Sequence, residues 1–310
     1  MKVAVTSTAA SQLALNNVSV PCEWEFFNVN EYVRLAEYNP DALYIGGWFV
    51  ANYANWQLYR ALIGDIKKVI VHWYGSDVLI AKQFHDRGQR KMFEELATDR
   101  FVNIPPNDKI KAELKEWISL DTTDPLNVPA ETTYVEMPKP EQFTIGIYMP
   151  CERLDFFNFM PICDALPGTD YRVIFYHWLP MTQDLKKEYA ERHLGNAEFR
   201  YGLSREQYRK TIEDCSCLLR IPFHDAYSIS LAEFLMAGRP VVSQHDAPEW
   251  PSLIQGELSK ESVLAALKWV EENPDVPKTV QDYYRDRWSP DKFKSRLLNR
   301  VNSQWPEVVF

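Results

Sequence analysis

The stretch "CSCLLRIPFHDAYSISLAEFLMAGRPVVSQ", Cys215 to Gln244, decides how the rest of the chain is read. "CSCLLRIP" is a short apolar run closed by a turn residue, the pattern of a buried strand. The loop "PFHDAYS" carries Asp225, a helix starts near Ser228, and "SISLAEFLMAG" keeps helical character until Gly238 stops it. "RPVVSQ" then returns as a strand. A strand, a loop, a helix and a second strand in this order form one unit of a parallel sheet, with the loop at the carboxyl edge.

That geometry has chemical content. The first free backbone N–H groups of the helix, around Ser228, Ile229 and Ser230, form an anion site suited to a diphosphate. Glu233 lies about one turn inside the helix, within reach of the paired hydroxyls of a ribose. Asp225 stands ahead of the helix, seven residues before Glu233 counting only those between them, and reaches to the other side of the phosphates. Two readings follow from spacing alone: a nucleotide-sugar site, or a charge that favours the helix dipole with an unrelated second acid.

Outward from this unit the alternation continues. "FTIGIYMP" (143–150), "YRVIFYHW" (171–178) and "AEFRYG" (197–202) read as strands, and "SREQYRKTIEDC" as a helix opened by Ser204 with Gln207 three residues on, a capping-box pattern. In the first half, "KVAVTS" (2–7), "ALYIGGW" (42–48), "KKVIVHWYG" (67–75) and "RFVNIP" (100–105) are strand-like, with "NWQLYRALIGDI" and "QRKMFEELATD" helical between them. Residues 121–142 hold four prolines and read as a boundary and linker. Near the end, Ser289-Pro290 starts a helix with Phe293, Leu297, Leu298 and Val301 at helical spacing. The expected class is α/β, with two Rossmann-like parallel-sheet domains facing each other across a cleft where the ligand binds.

Composition limits the alternatives. The 310 residues suit two domains of about 150 residues each. No run approaches the ~20 apolar residues of a membrane span, and the N-terminus reads as a strand, so a cytoplasmic protein is expected. The five cysteines, Cys22, Cys151, Cys163, Cys215 and Cys217, lack metal-ligand spacing and read as ordinary thiols. A net charge of −9 disfavours a surface that grips nucleic acid. The one dense basic run, Lys82, Arg87, Arg90 and Lys91, reads as a solvated helix face. No G-x-G-x-x-G, P-loop or G-x-S-x-G pattern is present, which removes the main support for nicotinamide, P-loop and serine-hydrolase chemistry.

Asp225, seven residues, Glu233 and then "FLMAGRPVV" resemble the acid-x7-Glu motif of the retaining GT-B glycosyltransferases of the GT4-like type. "AEFRYGLSREQYRKTIEDCSCLLRIP" resembles the strand, turn, helix and strand that precede the motif. "HWYGSDV" (72–78) resembles the family's histidine loop, "RFVNIPPNDKIKAEL" the last strand and helix of its first domain, and "RWSPDKFKSRLLNRV" its final helix. The resemblance runs through most of the chain in order and is specific only from about Ala197 to Gln244. It implies a GT-B architecture: residues 1–140 an acceptor-side Rossmann-like domain, 141–288 a nucleotide-sugar-binding domain, and 289–310 a helix crossing back to the first.

By position, the resemblance implies that Glu233 holds the donor ribose, that Asp225 contacts the transferred sugar, and that the backbone at Ser228, Ile229 and Ser230 carries the distal phosphate. It implies that His72 faces the sugar near the reacting carbon; packing inside an aromatic loop is the other reading of that histidine. Three departures stand out. The first acid is Asp where Glu is usual. The Arg and Lys expected after the second domain's first strand are not evident, which leaves Arg153 and Arg220 as candidates to neutralise the diphosphate. The glycine-rich loop after the first strand is replaced by "TSTAASQ".

The function implied is transfer of a sugar, with retention, from a UDP- or GDP-linked donor to a hydroxyl acceptor, saccharide or lipid-linked, with no cofactor and no metal. Two alternatives remain open: a phage-type enzyme acting on hydroxymethylated bases in DNA, with the basic run lining a groove, and a nucleotide-sugar epimerase or non-catalytic binder.

Overall fold

The computed structural model describes residues 2–7, 23–27, 31–48, 60–61, 63–64, 66–181, 197–226 and 228–306. The "TSTAASQ" loop beyond Ser7, most of the expected helix "NWQLYRALIGDI", Cys22 and Tyr227 lie outside them.

The chain divides into two compact units, Met1–Glu131 with Arg287–Phe310, and Thr132–Asp286. The first contains β1 (Lys2–Ser7), β2 (Glu23–Phe26), β3 (Ala42–Gly46), β4 (Val69–His72) and β5 (Phe101–Ile104) in a parallel sheet of order β2-β1-β3-β4-β5. Residues of β3, β4 and β5 are buried throughout, which is why they read as continuous apolar runs. The helix Pro290–Gln304, started by Ser289 as its cap, places Phe293, Leu297 and Val301 in the core with Val3, Val5, Tyr44 and Ile70. Leu298, read as a fourth apolar position, is half-buried.

The second unit contains β6 (Thr144–Tyr148), β7 (Arg172–His177), β8 (Ala197–Tyr201), β9 (Cys217–Arg220) and β10 (Val241–Ser243), all parallel in the order β10-β9-β6-β7-β8. The strand order reverses between β6 and β9, and ligands of such sheets bind beyond the carboxyl ends at that reversal. The helix Ile229–Met236 packs directly on β6: a Cβ on Gly146 would come within 2.8 Å of Cys215 Sγ and 3.2 Å of Phe234 Cζ. Ser204 and Gln207 form the expected capping box, and Gly238 ends the helix Ile229–Met236 with a φ of 76°.

Residues 121–142 form no helix or strand, as expected of a boundary, but they are not a loose tether. Leu126, Ala130, Tyr134 and Met137 are buried. Prolines leave carbonyls without ladder partners, and arginine side chains take them within each unit: Arg300 donates to the Asp124 and Pro125 carbonyls, Arg239 to that of Pro138 and Arg285 to that of Tyr134.

Candidate functional site

Arg220 is the last residue of β9, and its side chain turns back onto Asp225 five residues on. The guanidinium donates through Nε to Asp225 Oδ2 at 2.6 Å and through Nη2 to Oδ1 at 3.1 Å, a two-pronged pair in which Arg220 is 8% exposed and Asp225 9%. The Ala226 amide adds a bond to Oδ1 at 2.9 Å. Burial opposes a charge on Asp225, yet Arg220, aided by His245, holds its carboxyl below the usual range. Burial likewise opposes the Arg220 cation, and Asp225 overrides it. The guanidinium rests over the rings of Phe157 and Tyr148, at 5.5 and 5.6 Å. Its remaining nitrogen, Nη1, is buried without a hydrogen-bond partner among the described residues.

Three strand ends are tied together here. Asn158 Nδ2 donates to the Ile221 carbonyl at 2.6 Å and the Phe223 amide to the Phe156 carbonyl at 2.7 Å, joining the segment after β6 to the loop after β9. After β10, His245 Nε2 donates to the Pro222 carbonyl at 2.8 Å. Arg153 lies on the same β6 segment, exposed, with its guanidinium 4.2 Å from the centre of the Phe156 ring. The structure therefore gathers Arg153, Arg220 and Asp225 at the sheet's carboxyl edge.

Ser228 caps the following helix, its hydroxyl accepting from the Leu231 amide at 3.1 Å. Ile229 and Ser230 form its first turn, and every residue from Ser230 to Met236 is buried, so the helix is apolar nearly all round. Glu233 is its one charged residue, a carboxylate 1% exposed that is ion-paired to Arg205. Arg205 opens the helix Arg205–Asp214 and is 47% exposed, with its guanidinium 5.3 Å from the ring of Tyr208 and 5.9 Å from that of Tyr134. Sequence reading missed Arg205. A signal was available: a cation in the first turn opposes the helix dipole, so its presence points to a tertiary partner.

His72 requires a correction. It ends β4, as expected, but it is fully buried, stacked against Phe293 at 6.1 Å. Nε2 is 2.6 Å from the Leu126 carbonyl, which can only accept, so Nε2 carries the proton and Nδ1 accepts from the Tyr44 hydroxyl at 2.6 Å. Burial lowers its pKa to about 4. With both nitrogens engaged inside the first unit and the ring fully buried, His72 takes the packed position that is its other reading. The loop after it is organised by Asp77, a buried carboxylate that accepts from the amides of Trp48, Tyr74, Gly75 and Val78.

Cys215 and Cys217 are buried thiols, the first pushed up to about 12 by burial. Among the described residues no group of three or more His, Cys, Asp and Glu side chains is placed to hold a metal, and no helix is long and apolar enough to cross a membrane. Around the basic run, Lys82 pairs with Asp86 at 2.6 Å, and a hollow lined by Arg60, Arg90 and Lys91 also contains Glu94 and Glu95. That surface carries both signs.

No family model and no curated protein matches the chain in sequence. Solved structures do match in fold. The Anabaena protein Alr3699/HepE in complex with UDP-glucose superposes with a TM-score of 0.72 at 11% identity, over 98% of this chain and 100% of its own. The lipopolysaccharide outer core galactosyltransferase WaaB gives a TM-score of 0.61 at 13% identity, over 98% and 100%. The fold is GT-B. The chain also matches a protein from Listeria monocytogenes assigned as a UDP-N-acetylglucosamine 2-epimerase, with a TM-score of 0.59 at 13% identity over 100% and 97%. At these identities the likeness speaks for the fold, and the chemistry has to be argued from the site.

Proposed function

We propose that this GT-B chain is a retaining, metal-independent glycosyltransferase that moves a sugar from a UDP- or GDP-linked donor to a hydroxyl acceptor, saccharide or lipid-linked. The observation that carries the reading is the Arg220–Asp225 pair at the strand-order reversal, with Arg220 Nη1 buried and without a partner among the described residues, just ahead of a capped helix N-terminus. A buried donor without a partner costs about 1–3 kcal/mol, and a diphosphate oxygen is the kind of group that repays it. The neighbours solved with UDP-glucose or described as a galactosyltransferase support the donor class.

In this reading Glu233 accepts from the ribose hydroxyls, the amides of Ser228, Ile229 and Ser230 hold the distal phosphate, and Asp225 accepts from a hydroxyl of the transferred sugar. Arg220 keeps Asp225 ionised and oriented and turns Nη1 to the phosphates, with Arg153 as a second cation. The bond between the anomeric carbon and the phosphate oxygen breaks with its electrons on the phosphate. The helix N-terminus and the guanidinium stabilise that charge. The acceptor oxygen bonds the anomeric carbon on the face the phosphate leaves, and its proton passes to the leaving phosphate. No side chain acts as a covalent nucleophile.

The test is a thermal-shift panel of UDP, GDP, ADP, CMP and their common sugars on the native protein and on Glu233→Ala. One nucleoside diphosphate should stabilise the native protein by about 2–3 kcal/mol at a hundred times its Kd, and Glu233→Ala should lose most of that shift. An absence of any shift at millimolar nucleotide would sink the reading. Conversion of the donor with no acceptor present would instead favour an epimerase.

A further inference from the structure

The ribose role given to Glu233 meets an obstacle: the carboxylate is 1% exposed, and its Oε1 is held by Arg205. Arg205 is the more exposed partner, at 47%. It stands at the first turn of the helix Arg205–Asp214 with its guanidinium near two rings, Tyr208 on the same helix and Tyr134 on the segment after Glu131. These rings give the cation a resting place close to the carboxylate.

Resting on the ribose reading of Glu233, we propose that Arg205 is a specificity-determining residue that competes with the ribose for this carboxylate. Two hydroxyls reaching Glu233 replace the guanidinium, which moves along the Tyr134 and Tyr208 rings into water. The exchange is balanced: one charge-assisted pair is given up and two hydroxyl donors take its place, so Glu233 is never left bare. In the Arg205–Glu233 pair only the carboxylate is buried, so the guanidinium can leave into water while hydroxyls take its place, whereas both partners of Arg220–Asp225 are buried. Arg205 thereby lowers the advantage that a ribonucleotide has over a nucleotide without the two hydroxyls, because only the former has to break the pair.

The experiment measures Kd by calorimetry for UDP, GDP and ADP, each beside its 2′,3′-dideoxy counterpart, on the native protein, Arg205→Gln and Arg205→Lys. For the nucleotide that binds, the ratio of dideoxy to ribo Kd should rise about five-fold in Arg205→Gln, about 1 kcal/mol at 1.4 kcal/mol per decade. The dideoxy Kd itself should stay within about two-fold. Arg205→Lys keeps the charge and loses the planar fork, so its ratio should fall between the two; it also serves if the Gln variant does not fold. An unchanged ratio overturns competition, and a smaller ratio would mean that Arg205 holds the acid for the ribose. A native protein that binds a nucleotide without preferring ribose, or binds none, removes the ribose reading of Glu233 and this inference with it. A native preference with an unchanged Arg205→Gln ratio removes only the inference.

Discussion

His72 and Arg220 hold equivalent addresses in two parallel sheets. Each is the last residue of its strand, each reaches the carboxyl edge where such sheets bind ligands, and each is at least nine-tenths buried. They differ in what hydrogen-bonding capacity is left. Both nitrogens of His72 are taken by Tyr44 and Leu126, and a neutral ring fits that setting. Arg220 satisfies Asp225 with two nitrogens and has a third without a partner among the described residues. A position at the right edge is therefore insufficient to define a site; a buried polar group with unused capacity is the more telling sign.

The comparison can be broken most forcefully at Arg220. Arg220→Met leaves Asp225 buried without its cation and should destabilise the protein by about 3–5 kcal/mol in urea unfolding. Arg220→Met with Asp225→Leu should recover most of that loss, since an apolar pair suits the Phe157 and Tyr148 bed. If the single variant costs under about 1 kcal/mol, the pair is not buried as described.

The next effect belongs to His72 and depends on pH. An ordinary histidine takes up a proton at 6.5, whereas His72 does so only at about 4. The unfolded chain therefore gains a proton that the folded chain refuses. This stability is complete above pH 6.5 and is lost as pH falls to 4, amounting to about 3 kcal/mol. His72→Asn should show a flatter slope of stability against pH over that window in denaturant titrations, whatever its absolute stability. Equal slopes would mean that the ring takes up its proton in the folded state as well.

The smallest effect sharpens the reading of the helix start. Ser228→Ala removes the cap on the Leu231 amide and should cost about 1 kcal/mol, with Ser228→Gly costing only a few tenths. A larger loss of nucleotide affinity than of stability in Ser228→Ala would place the ligand at this terminus.

Much of the architecture was legible because it follows from local chemistry. Strands buried on both faces must be mostly apolar, so β3, β4, β6 and β9 announce themselves. β2 was missed because "EWEF" is a four-residue edge strand paired only with β1, too short for its alternation to stand out. The helix Tyr32–Tyr38 has no capping side chain at its start and was missed too. In the candidate site, Asp225 and Glu233 stand out in the sequence by their spacing, but their partners are not equally visible. Arg220 lies five residues from Asp225 and could be suspected, whereas Arg205 is twenty-eight residues from Glu233 with a strand between them.

The sequence by itself determined the alternating α/β order, the start near Ser228 and the stop at Gly238 of the helix beneath the site, and the two acids seven residues apart, because periodicity, caps and turn residues act over a few neighbours. Tertiary structure alone decided that His72 is sealed by Phe293, that Arg220 pairs with Asp225, and that Arg205 covers Glu233. These outcomes depend on which side chains meet across strands and helices, and on how much water is left between them once the units close on their cores.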